Sequence, residues 1–250
     1  MRIGVSAVTL LALPHLVRFP NWPHRLTQFV RQTGFRIQLV PFQWWQENEL
    51  RHIPLDVVLS IEGVWNPGET SRELLHRVTH GDPAALLGPI LFGFVPKSDE
   101  RTKVLARSFP KAWHIDMGEY GVKDQALSEF GPNHPDWQGD NPVAFDTWHA
   151  REVLKNDEVL NILHNHAFRS RIRLVHFQTR DRKEYEGFLA GERNFLYDVF
   201  DTLQAYLWKG DIVIELPPQW LMSDTESKLQ RTATQIRKFF AFDRAWDVAP

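Results

Sequence analysis

The sequence predicts a closed (β/α)8 barrel, the α/β architecture of the TIM barrels, and two observations lead to it. Short apolar runs of strand length alternate with helix-length segments along the whole chain, a pattern that makes a parallel sheet. Eight such units fit into 250 residues, which suits one closed barrel better than an open doubly wound sheet. A third observation concerns chemistry. Three consecutive strand-like runs in the second half each finish on a metal-competent side chain: Asp146, His176 and Glu215.

Taken in order, Ile3 to Ala7 forms the first strand, and Pro23 to Thr33 the first helix, with Leu26, Phe29 and Val30 at helical spacing and Gly34 as the stop. The opening run, Met1 to Pro14, has one charge and a short apolar core but no small-x-small cleavage site. It is therefore read as a strand and its loop rather than a signal peptide. Arg36 to Phe42 is the second strand, Leu55 to Ile61 the third, Glu69 to His80 a helix, and Pro89 to Val95 the fourth strand, followed by a helix from Ser98. Lys111 to Met117 is the fifth strand and Pro142 to Asp146 the sixth. A long helix from about Trp148 to Phe168 leads to the seventh, Arg171 to Phe177. Glu192 to Trp208 is a helix, Asp211 to Glu215 the eighth strand, and Ser223 to Phe240 the closing helix. The whole of 1–250 is expected to be one domain.

Composition narrows the function. Lys plus Arg is 29 against Asp plus Glu 31, a net charge of −2, so no basic field invites nucleic acid or an acidic membrane surface. Cysteine is absent, which leaves a metal site only His and carboxylate donors. No run reaches the roughly 18 apolar residues that span a bilayer, and a cytoplasmic location is expected. The expected partner is a small sugar-like molecule, with no nucleic acid and no membrane; a homo-oligomer is compatible with the sequence.

In a (β/α)8 barrel the loops after the strands build the active face, so strand C-termini carry the candidates. Asp146 and His149 stand in an Asp-x-x-His spacing where a strand gives way to a helix, His176 ends Arg173-Leu-Val-His-Phe-Gln178, and Glu215 ends Asp211-Ile-Val-Ile-Glu215. A carboxylate directly after Ile-Val-Ile costs several kcal/mol unless paired or metal-bound. On the fifth strand His114 and Asp116 lie two apart and so share a face. Glu62 ends a buried-looking run, although Gly63 and Asn66-Pro67-Gly68 fit a turn there equally well. Of the 10 Trp, those near strand ends, Trp44, Trp45 and Trp65, are assigned to packing. His164 and His166 are two apart in a helix and do not share a face. The basic run Arg169 to Arg173 is expected at a solvated rim, at the N-terminal end of the seventh strand.

The order Asp146-x-x-His149, His176, Glu215, together with Gly191-Glu192 ahead of a helix that leads into Gly210-Asp-Ile-Val-Ile-Glu215, resembles the xylose isomerase-like barrels. That superfamily holds sugar phosphate isomerases and epimerases and the AP endonucleases. The resemblance implies one divalent ion held by Asp116, Asp146, His176 and Glu215, Mn²⁺ or Mg²⁺ in preference to Zn²⁺ or Co²⁺. Here Asp116 stands where the family usually has Glu. It further implies Asp116 and Glu215 as the catalytic acid/base pair, and His149 and Arg182 as substrate-binding residues, with Glu62 as a minor candidate in the same pocket. The trinuclear zinc site of the endonuclease branch is not expected. Pro41-Phe-Gln-Trp-Trp45 and Ser60-Ile-Glu-Gly63 offer no His at their strand tips, and no Asp-x-His follows His176. The expected activity is that of a metal-dependent isomerase or epimerase of a sugar or related polyhydroxy carbonyl compound. The alternatives are a non-catalytic, repurposed ligand-binding barrel and a metal-dependent phosphoester hydrolase.

Overall fold

A computed structural model of the protein describes residues 1–13, 21–39, 53–63, 91–94, 113–116, 143–148, 150–151 and 154–241. Eight parallel strands close into a ring in chain order. They are β1 (Ile3–Ser6), β2 (Arg36–Leu39), β3 (Val58–Gly63), β4 (Leu91–Phe94), β5 (Trp113–Asp116), β6 (Val143–Asp146), β7 (Ile172–Phe177) and β8 (Asp211–Ile214). The last strand pairs with the first through Ile3↔Ile212, Gly4↔Val213 and Val5↔Ile214. The predicted fold class is therefore the one observed.

Strand alternation divides the side chains between two environments. Phe145, Val175, Phe177 and Ile214 join the main core with the helix residues Leu26, Leu163, Phe188, Phe200 and Ile236. Leu59, Leu174 and Val213 form a separate small apolar cluster. Gly4 belongs with that cluster, because a Cβ at this position would lie 2.7 Å from Leu59 Cδ2. One pleat period further along β7 stands His176, directly opposite Asp146 in the β6–β7 register. A polar layer thus rests on an apolar floor. At the opposite end of the ring, Asp211 is held by Arg2, whose backbone N–H donates at 2.7 Å and whose Nη2 donates at 2.6 Å. The acidic residue at the start of β8 is accordingly a structural tie.

Of the helices, α1 (Trp22–Thr33) follows the expected span and ends on Gly34 at φ 74°. Two short 3-10 turns, Thr9–Ala12 and Leu55–Val57, were not anticipated, and the second takes the first residues of the expected third strand. The single helix expected over 148–168 is broken into α2 (Asn156–His164) and α3 (His166–Arg169). The break is at Asn165, whose backbone is extended and whose Oδ1 accepts from Ala167 N at 2.9 Å and Phe168 N at 3.3 Å. An Asn that caps a new helix competes with continuing the old one. Between β7 and β8 lie two helices, α4 (Arg182–Ala190) and α5 (Phe195–Ala205), where the sequence pattern suggested one. The chain closes with α6 (Pro218–Leu221) and α7 (Thr225–Phe240). The helices expected over 69–80 and from Ser98 lie outside the described residues.

The basic run before β7 is not a solvated rim. Arg169 and Arg171 are both buried. Arg169 donates to the Leu163 and His164 carbonyls at 2.7 and 3.0 Å and lies 3.5 Å over the Tyr206 ring. Its guanidinium thereby satisfies carbonyls that the end of α2 leaves open. Among the described residues no helix is long and apolar enough to cross a membrane.

Candidate metal centre

Three neighbouring strands deliver the predicted donors to one point. Asp146 is the last residue of β6, His176 the fifth of β7, and Glu215 the first residue beyond β8. One ligand atom from each lies within 4.8 Å of the others. His176 Nδ1 faces Asp146 Oδ2 at 3.5 Å and Glu215 Oε2 at 3.8 Å. The imidazole is 0% exposed, the Asp146 side chain 1% and the Glu215 side chain 11%, so Glu215 is the least enclosed of the three.

The ends that carry these donors are stitched together by two threonines. Thr147 Oγ1 accepts from Gln178 N at 2.9 Å and donates toward the Gln178 carbonyl at 2.6 Å and the His176 carbonyl at 3.1 Å. Thr147 N also donates to the His176 carbonyl at 3.1 Å. Thr9, in the turn after β1, accepts from Leu216 N at 2.8 Å and donates toward the Leu216 carbonyl at 3.1 Å. Glu215 N donates to the Phe177 carbonyl at 3.0 Å. The backbone next to each donor is therefore fixed.

The donor side chains are held as well. Trp148 N donates to Asp146 Oδ1 at 2.7 Å, the Asx turn expected where a carboxylate leaves a strand. The Gln178 amide, with its nitrogen toward Asp146, donates to Oδ1 at 3.1 Å and to Oδ2. Gln38, on β2, reaches His176 across the inside of the ring, with amide nitrogen and imidazole Nε2 2.8 Å apart. Beside the group, Glu184 takes both Arg151 Nη1 and Nη2 at 2.8 Å and the Thr179 hydroxyl at 2.6 Å, tying the loop after β6 to the start of α4.

The other predicted residues are placed as follows. Asp116 closes β5, paired in register with Ala144, with His114 two residues before it, and Glu62 is on β3 opposite Gly93; their side chains, and all of His149, lie outside the described residues. Arg182 opens α4, is 66% exposed, and donates from Nε to Glu186 at 2.8 Å on the same helix. The structure thus directs Arg182 along its helix and does not bring it to the donor group. Gln38, Gln178, Thr9 and Thr147 were missed. For Gln178 a signal was available, since it stands two residues after His176 and shares its face.

The donor set fits a divalent cation. Separations of 3.5 and 3.8 Å are too long for good hydrogen bonds. They match the spacing of neighbouring ligand atoms around a shared ion whose own bonds are roughly 2.0–2.2 Å. Two carboxylates with one imidazole and no thiolate make a hard to borderline site, suited to Mn²⁺, Mg²⁺, Zn²⁺ or Co²⁺.

No protein-family model matches the chain, and no curated protein matches it. Among solved structures it is similar to a xylose isomerase domain-containing protein from Salmonella typhimurium, at 16% identity and a TM-score of 0.53 over 96% of both chains. A D-tagatose 3-epimerase-like protein aligns over 100% of both chains at 12% identity and a TM-score of 0.40. From the ring of strands and the likeness to the first of these, the fold of this chain is a closed (β/α)8 barrel.

Proposed function

We propose that the protein is a metal-dependent isomerase or epimerase acting on a sugar or sugar-like polyhydroxy carbonyl compound. The observation that carries this reading is the meeting of Asp146, His176 and Glu215 on three adjacent strands at the C-terminal end of the ring. These three residues would hold the ion, with Asp116 of β5 as a fourth donor from the next strand round. A divalent ion there supplies Lewis acidity to a bound carbonyl and its neighbouring hydroxyl, which acidifies the C–H between them.

The rest of the chemistry belongs to the chain. Glu215 is the less enclosed of the two buried carboxylates and has Oε2 turned to His176; we assign proton removal to its Oε1. Asp116 is the acid/base partner in this assignment, returning a proton from the other side of the substrate. Asp146, locked by Trp148 N and the Gln178 amide, is a ligand and not a base.

The test combines metal titration with isotope exchange. Wild-type protein should take up a stoichiometric divalent ion and exchange a substrate α-proton with deuterated solvent when offered a panel of aldoses and ketoses. His176→Gln and Asp146→Ala, checked for fold by circular dichroism, should lose metal affinity by more than the ~10–100-fold typical of an outer-shell contact. Ligand binding that survives Asp146→Ala in a protein that takes up no ion would identify a repurposed barrel instead. Ion-dependent phosphatase activity lost with His176 would identify a hydrolase.

A further inference from the structure

We infer that Gln38 is a positioning residue that, by turning its amide, lets His176 take up the metal-ligating tautomer, an inference that rests on the metal site proposed above. The two side chains are each 0% exposed and meet at 2.8 Å from opposite sides of the ring, 138 residues apart in sequence. Gln38 touches Nε2, whereas Nδ1 is the nitrogen turned to Asp146 and Glu215. A neutral imidazole carries one proton, and the nitrogen that binds a cation must be the other one. Nδ1 can therefore serve as a ligand only when the proton is on Nε2, and an Nε2–H needs an acceptor. The acceptor available is the Gln38 amide oxygen.

The same amide can serve the opposite state. In the structure its nitrogen faces His176, so it donates to the Nε2 lone pair and the proton sits on Nδ1 facing the two carboxylates. With its oxygen toward His176 it accepts from Nε2–H and frees the Nδ1 lone pair. The two arrangements have the same shape. At the far end of the amide, Oε1 meets no hydrogen-bonding partner among the described residues, so the turn breaks no second bond. Glutamine is suited to this place because its amide offers both a donor and an acceptor. Leucine fills the volume and offers neither, and ionised glutamate offers an acceptor only.

The experiment measures Mn²⁺ affinity by competition with a chromogenic chelator in wild type, Gln38→Leu and Gln38→Glu, with the imidazole tautomer read by ¹⁵N NMR in Zn²⁺-loaded protein. Gln38→Leu should bind Mn²⁺ about 10–100-fold more weakly, Gln38→Glu as tightly as wild type or more so, and the loaded wild type should show a protonated Nε2. Equal affinity in all three proteins overturns the role of Gln38 while leaving the metal site intact. Absence of Mn²⁺ binding in wild type overturns both. Should Gln38→Leu fail to fold, the glutamate variant decides: retained affinity supports the inference and a tenfold loss overturns it.

Discussion

Thr147 shows how much of this site rests on uncharged atoms. Its hydroxyl both accepts from Gln178 N and donates back to the Gln178 carbonyl, in a place where it is 0% exposed. Thr147→Val keeps the shape and strands a buried N–H, which costs about 1–3 kcal/mol; urea unfolding should show a lower midpoint with an unchanged slope. Residues of this kind were not legible in the sequence. Asp146, His176 and Glu215 were, because a charged or titratable group at the end of an apolar run contradicts its surroundings and calls for a partner. Gln38, Gln178 and the two threonines raise no such contradiction. What makes them matter is distance across the closed ring, which a linear chain does not display.

At the scale of the element, Gly191 ends α4 in the left-handed region at φ 80°, its N–H donating to the Phe188 carbonyl at 3.1 Å. A Cβ there would come no nearer than 3.7 Å to any neighbour, the closest being Gln235 Nε2, so Gly191→Ala isolates the backbone penalty of about 1–2 kcal/mol. Denaturant unfolding should register that loss. The strands were readable because β1 and β8 are buried throughout and β7 at every residue but Arg173, so their apolar stretches stand out in the sequence. Helix α4 was not, although Asp181 caps it and Gly191 closes it, because its nine residues bury little beyond Tyr185 and Phe188. The split at Asn165 was hidden for the complementary reason: apolar spacing continues through it, and only the cap shows where one helix stops.

For the molecule as a whole, the apolar floor is where strands from across the ring meet, Leu59 of β3 against Leu174 of β7 and Val213 of β8. Gly4 leaves room for Leu59, and Gly4→Ala places a carbon 2.7 Å from Leu59 Cδ2, an overpacking worth about 1–3 kcal/mol. Leu59→Ala creates a cavity, and the two changes together should cost less than their sum. A double-mutant cycle by thermal unfolding checks this, with a coupling of about 0.5–3 kcal/mol expected; strict additivity would mean that the two side chains do not share the space. The donors above that floor come from β6, β7 and β8, one arc of the circle, clasped by Thr147 on one flank and Thr9 on the other. With the donors gathered on that arc, β2 and β3 form the opposing crescent. Gln38 already reaches from that crescent to His176, so a substitution on β2 is felt at the far rim although the two residues stand 138 positions apart in the chain.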